Sequence, residues 1–186
     1  MDSGIILILG GVRSGKSRFA QQLATELGER VLFIATGVPM DEEMRRRIEL
    51  HQKARPKTWR TLETPTGVAK AIGEHIKDAD VVVLDCLTFL VSNLMDNVHE
   101  TEKLEALEKE ITGELSKLLE QKKSASLIIV SNEVGMGVVP AYPLGRAYRD
   151  LLGRANQFIA QRADRVYLMI AGIPLELKAL GNGNER

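Results

Sequence analysis

Residues 5–17 read Ile5-Ile6-Leu7-Ile8-Leu9-Gly10-Gly11-Val12-Arg13-Ser14-Gly15-Lys16-Ser17, an aliphatic run that breaks into glycines and ends on a lysine and a hydroxyl. The segment from Gly10 to Ser17 satisfies the pattern G-x-x-x-x-G-K-[ST], which carries chemistry when a strand precedes it and a helix follows. Both flanks suit that context. The glycines let the backbone curl so that its N–H groups point inward at a phosphate, and the following helix adds its positive N-terminal end. Lys16 neutralises the outer phosphates, and Ser17 offers a hydroxyl to Mg²⁺. A glycine-rich turn with a chance lysine is the competing reading, and the flanking elements weigh against it. The stretch therefore predicts nucleoside triphosphate binding.

Outward from this loop, further aliphatic runs at residues 31–35, 81–84, 127–130 and 166–170 join residues 5–9 as five buried parallel strands. Between them lie helical repeats. One carries Leu104, Leu107, Ile111, Leu115 and Leu118, and another Leu144, Tyr148, Leu151, Ala155 and Phe158. Strands alternating with helices imply crossover units, hence an α/β, three-layer phosphate-loop (P-loop) NTPase-like fold with a mostly parallel sheet and helices on both faces. Asp85 ends the third run, where such a fold places the carboxylate that holds Mg²⁺ directly or through water. Capping of the next helix is the alternative role.

The chain has 186 residues, with 25 Lys+Arg against 25 Asp+Glu. That length suits one domain over residues 1–186, with residues 181–186 expected as a frayed tail. Apolar residues make up 44% and charged ones 27%, the balance of a globular protein. Zero net charge argues against a protein that coats nucleic acid or an anionic membrane through its overall field. The single cysteine, Cys86, excludes an internal disulfide framework, and its place in an apolar run suggests an inert buried thiol. No run is long enough to span a bilayer, so a cytoplasmic location is expected.

Residues 41–54 read as a helix with Asp41 as N-cap and Glu42 and Glu43 in its first turn. Met44, Ile48 and His51 follow its spacing, which alone makes His51 a semi-buried structural histidine. Its neighbours shift that reading. Arg47 and Arg55 stand one helical turn before and after it, and two guanidinium groups beside an imidazole disfavour its protonation and can clamp a phosphate chain. A neutral imidazole beside bound phosphates is a competent nucleophile. Residues 45–60 hold Arg45, Arg46, Arg47, Lys53, Arg55, Lys57 and Arg60 against Glu49 alone. A solvated face or an RNA-binding strip competes with this reading, but Trp59 is the only stacking platform there.

Together these motifs resemble the bifunctional adenosylcobinamide kinase/adenosylcobinamide-phosphate guanylyltransferase family of cobalamin biosynthesis, over nearly the whole chain. The resemblance rests on the phosphate loop, on His51-Gln52-Lys53-Ala54-Arg55-Pro56 leading to Trp59-Arg60-Thr61, and on Leu84-Asp85-Cys86-Leu87-Thr88. It also rests on Ser131-Asn132-Glu133-Val134-Gly135-Met136-Gly137-Val138-Val139-Pro140 and on Gly153-Arg154-Ala155-Asn156-Gln157. It implies that ATP or GTP phosphorylates adenosylcobinamide. GTP then guanylylates His51 with loss of pyrophosphate, and the GMP passes to adenosylcobinamide phosphate. Lys16 and His51 would be the catalytic groups. Nucleotide contacts carry over to Gly10, Gly11, Val12, Arg13, Ser14, Gly15, Lys16 and Ser17, to Ala35, Thr36 and Gly37, to Gln52, Lys53, Ala54 and Arg55, and to Glu63 and Asp85. Ser17 and Asp85 would serve the metal, and Glu63 suits guanine's ring N–H and amino group. The resemblance also implies a homotrimer. Because the two transfers attack different phosphorus atoms, the helix bearing His51 is expected to move between them. A small-metabolite or nucleotide kinase lacking the second activity, or a GTP-binding regulatory module, are the rival functions.

Overall fold

Seven strands form one sheet in the order β3-β2-β4-β5-β1-β6-β7 in the computed structural model, which describes residues 3–95 and 104–181. The elements run β1 (Ile5–Gly10), α1 (Lys16–Leu27), β2 (Val31–Ala35), α2 (Glu42–Ala54), β3 (Arg60–Glu63), α3 (Val68–His75) and β4 (Val81–Asp85). They continue α4 (Leu87–Met95), α5 (Leu104–Gln121), β5 (Ser126–Val130), α6 (Pro143–Arg162), β6 (Arg165–Ile170), β7 (Ile173–Glu176) and α7 (Leu177–Gly181). All five expected strands are present. All neighbouring strands from β3 to β6 pair in parallel, and β7 closes the edge antiparallel to β6.

Side chains of a strand alternate between the two faces of its sheet, so an unbroken aliphatic run feeds two cores at once. Leu7, Leu32, Ile34, Val82, Leu84, Leu127 and Ile129 enter the core beneath α3, α4, α5 and α6. Ile6, Ile8, Val31, Phe33, Val81, Val83, Ile128 and Val130 enter the other, against Ala20, Leu23 and Ala24 of α1. The α5 stripe holds, with Leu107, Ile111, Leu115 and Leu118 buried and Leu104 partly so, but that of α6 holds only in part: Leu151 and Ala155 are buried, Tyr148 and Phe158 partly so, and Leu144 is exposed, while Leu152 and Ile159 complete the buried face.

Two strands escape the hydropathy reading. β3 has a mostly exposed pattern and β7 sits at the edge, so neither carries an aliphatic run. Trp59, read above as a stacking platform, is buried and stacks on Phe33 with ring centroids 6.1 Å apart. It belongs to the core and is withdrawn from any nucleic-acid surface. Of the tail expected at residues 181–186, Gly181 closes α7 and residues 182–186 lie outside the described residues.

Candidate active site

The phosphate loop leaves β1 through Gly10, whose φ of +151° favours glycine and whose added Cβ would meet the Met169 carbonyl oxygen at 2.6 Å. Gly15, at φ +96°, is the N-cap of α1, so the loop delivers its final lysine and serine directly into the helix's first turn. The loop is further fixed by the turn between β6 and β7. Gly172 donates its N–H to the Ser14 carbonyl at 3.0 Å. Lys16 is 9% exposed and donates from Nζ to the Gly11 carbonyl at 2.6 Å. Burial pulls its pKa below the usual lysine value, while Cys86 and Asp85 act to raise it.

A cleft of about 790 Å³ opens over this loop. Its walls bring together Lys16, Ser17, Ala35, Gly37, His51, Arg55, Glu63 and Asp85, along with Val12, Arg13, Ser14 and Gly15. Residues far apart in the chain thus meet where β1, β2, β3 and β4 end, the crevice where open α/β sheets bind ligands.

Helix α2 carries His51 into the cleft. Asp41 caps it as expected, accepting the Met44 N–H at 2.7 Å. Met44 and Ile48 are partly buried cleft residues, but His51 itself is exposed, which corrects the semi-buried structural reading: it faces space large enough for a ligand. Arg55 corrects a second expectation. The helix ends at Ala54, and Arg55 adopts extended backbone at the C-cap rather than standing in register with His51. Its guanidinium lies 4.0 Å over the Phe33 ring, with Nε buried and unpartnered among the described residues. Burial lowers its pKa, and the carboxylates of Asp85 and Glu63 act in the opposite direction. The side chain of Arg47 lies outside the described residues.

Glu63 ends β3 and accepts a hydrogen bond from Gln52 Nε2 at 2.5 Å. Gln52, Lys53 and Ala54 are not on the cleft wall, and neither are Gly10, Gly11 or Thr36. Thr36 is fully buried: its hydroxyl donates to the Cys86 carbonyl at 2.7 Å and accepts the Cys86 N–H at 2.8 Å, tying the end of β2 to that of β4. Cys86 is buried as expected, with its thiol pushed up to about 12 by desolvation.

The cleft also contains residues that no motif assigned: Arg18, Phe89, Asn132, Ala171 and Gly172. Asn132 lies within the Ser131–Pro140 run already singled out, so its signal was present without a role. Ala171 and Gly172 reach the loop only through the antiparallel turn, which residue spacing does not reveal.

Fold and cleft together define a P-loop protein, with a histidine and an arginine lining the same cleft as the phosphate loop. Over its full fold the chain resembles a prototypical ATPase from the type III secretion system of pathogenic bacteria (TM-score 0.57, 13% identity), covering 97% of this chain and 58% of that one. The particular family follows from sequence: residues 6–177 match the cobinamide kinase/cobinamide phosphate guanyltransferase family, and the chain belongs to it. It is 40% identical over 181 residues to the bifunctional adenosylcobalamin biosynthesis protein CobU of Escherichia coli (strain K12), covering 94% of this chain and 99% of the relative. The Pseudomonas aeruginosa protein CobP is 42% identical over 174 residues, covering 92% of this chain and 96% of that relative.

Proposed function

We propose that this chain, as one catalytic domain, phosphorylates adenosylcobinamide and then transfers GMP from GTP to the resulting phosphate. The observation that carries this reading is that His51 and the phosphate loop line one cleft. In the first reaction the corrinoid hydroxyl attacks the γ-phosphorus of ATP or GTP while the loop N–H groups and Lys16 hold the departing diphosphate. In the second, an imidazole nitrogen of His51 bonds to the α-phosphorus of GTP, and the α–β bridging bond breaks with its electron pair leaving on pyrophosphate. A phosphate oxygen of adenosylcobinamide phosphate then displaces His51, giving adenosylcobinamide-GDP.

Arg55 suits the pyrophosphate: its buried Nε has no partner among the described residues, so charge appearing nearby meets a donor already desolvated. Glu63 accepts from guanine's ring N–H and amino group. Ser17 and Asp85 supply a hydroxyl and a carboxylate on the same wall, hard oxygen donors that fit Mg²⁺. When bound, the ion neutralises phosphate charge. The protein would act as a cytoplasmic homotrimer without nucleic acid or a membrane span; among the described residues no helix is long and apolar enough to cross a membrane.

Incubation with GTP labelled at the α-phosphorus tests the reading. Acid-labile, alkali-stable label should appear on the polypeptide and vanish in His51→Ala. Absence of label would leave a simple kinase or a GTP-binding module. Label surviving in His51→Ala would overturn the choice of nucleophile.

A further inference from the structure

The run from Ser131 to Pro140 begins where β5 ends, and β5 is hydrogen-bonded to both β1 and β4. Its C-terminal end therefore emerges between the strand that feeds the phosphate loop and the strand that ends in Asp85. The backbone at this point is fixed from four directions. Ser131 N–H donates to the Ile8 carbonyl at 2.9 Å, and Glu133 N–H to the Gly10 carbonyl at 3.1 Å. Asn132 N–H donates to Thr88 Oγ1 at 2.9 Å, and the Asn132 carbonyl accepts Asn156 Nδ2 at 3.0 Å.

Both side-chain partners are buried, Thr88 to 7% exposure and Asn156 to 5%. Asn156 stands on the buried face of α6 among Leu152, Ala155 and Ile159, and its Oδ1 is buried without a partner among the described residues. A carboxamide kept in an apolar face with one atom unsatisfied is a cost to folding, and here it fixes the backbone of Asn132. The Asn132 side chain is the opposite case. It makes no hydrogen bond among the described residues, and it lines the same cleft as Lys16, Ser17 and Asp85. The pinned backbone fixes where the side chain starts, and the carboxamide is left open to a ligand.

We propose that Asn132 is a catalytic residue of the phosphoryl transfer, its carboxamide meeting the γ-phosphoryl group and the attacking hydroxyl, with Thr88 as its positioning residue. This rests on the kinase activity proposed above. As the acceptor oxygen bonds to the γ-phosphorus, the β–γ bridging bond breaks and its electron pair leaves on the nucleoside diphosphate. The acceptor's proton passes to a non-bridging oxygen of the transferred phosphoryl group. Asn132 Nδ2 donates to an equatorial oxygen where charge gathers, and Oδ1 accepts from the hydroxyl and so orients it. In guanylylation the reacting atom is the α-phosphorus and the γ-phosphoryl group keeps its bonds, so Asn132 matters less.

The test measures both reactions in the full-length protein. Asn132→Ala is expected to lower kcat for corrinoid phosphorylation by about 10²-fold, the scale of one lost preorganised donor. KM for the nucleotide should stay within about twofold, because ground-state binding is retained. Label from α-phosphorus-labelled GTP should still reach His51. The isosteric Asn132→Asp, which places charge against phosphate, should be at least as impaired while melting like wild type. Thr88→Val should lower kcat with KM unchanged, and Thr88→Ser should restore it by returning the hydroxyl. A full phosphorylation kcat in Asn132→Ala, or an equal loss of both reactions, overturns the proposal. Wild-type protein that fails to phosphorylate the corrinoid overturns the kinase reading itself, and this proposal with it.

Discussion

Arg55 shows how one side chain can be in the expected place for a different reason. The periodicity of α2 places it one turn beyond His51, yet the helix stops at Ala54 and the side chain reaches the cleft by stacking on Phe33. A cation over an aromatic face keeps its attraction when desolvated, and the carboxylates of Asp85 and Glu63 add to it. Cys86 makes the complementary point, since it lines the cleft and is nonetheless buried. Only the thiolate reacts, and desolvation raises this thiol from 9.0 to about 12. Iodoacetamide at pH 8 should therefore label Cys86 in denaturant and leave native protein unlabelled after the same interval. A raised acid pKa stabilises the fold fully below the unfolded value. Cys86 should thus contribute a loss of stability as pH climbs from 9 towards 12, absent in Cys86→Ala, as thermal melts across that range would read.

Helix α2 is the element on which the two proposed reactions depend, and it is lightly attached. None of its described side chains is buried; Met44 and Ile48 are only partly covered. An element with few buried apolar contacts opens at low free-energy cost, which suits a helix that serves attack at a different phosphorus atom. Its N-cap should then govern its local stability more than that of the whole protein. Asp41→Ala removes the bond to Met44 N–H and costs α2 about 1 kcal/mol. Hydrogen exchange should accelerate by roughly fivefold in α2 amides while those of β1, β4 and β5 are unchanged. Uniform acceleration across the sheet would show that α2 opens only with the rest of the protein.

At the scale of the molecule, charge and apolar surface are both unevenly distributed. Of the basic stretch at residues 45–60, Arg55 lines the cleft, while residues 96–120 carry eight acidic groups against three lysines and nearly offset its charge; residues 96–103 of that stretch lie outside the described residues. Neutrality is a sum over two separated regions. Ile170, Ile173 and Leu175 are exposed along the antiparallel edge. We propose that copies of this chain assemble as a homotrimer along this edge. Sedimentation should give a trimer for wild type, and Ile173→Lys should shift it towards monomer. A wild-type monomer at micromolar concentration would refute the assembly.

The buried strands, the phosphate loop and the helix bearing His51 are legible in the sequence because each is a local pattern: a continuous aliphatic run, glycines at fixed offsets, an N-cap before a periodic stripe. His51 and Asp85 were recognisable by chemical type and by place within such patterns. Tertiary structure alone decided what stands beside them. The insertion of β5 between β1 and β4 brings Asn132 to the cleft, and the β6–β7 turn presses Gly172 against the phosphate loop. Strand order and side-chain burial arise from contacts between residues distant in the chain, about which residue spacing is silent. The same applies to Thr36 and Trp59, whose side chains the fold commits to joining two strand ends and to the core.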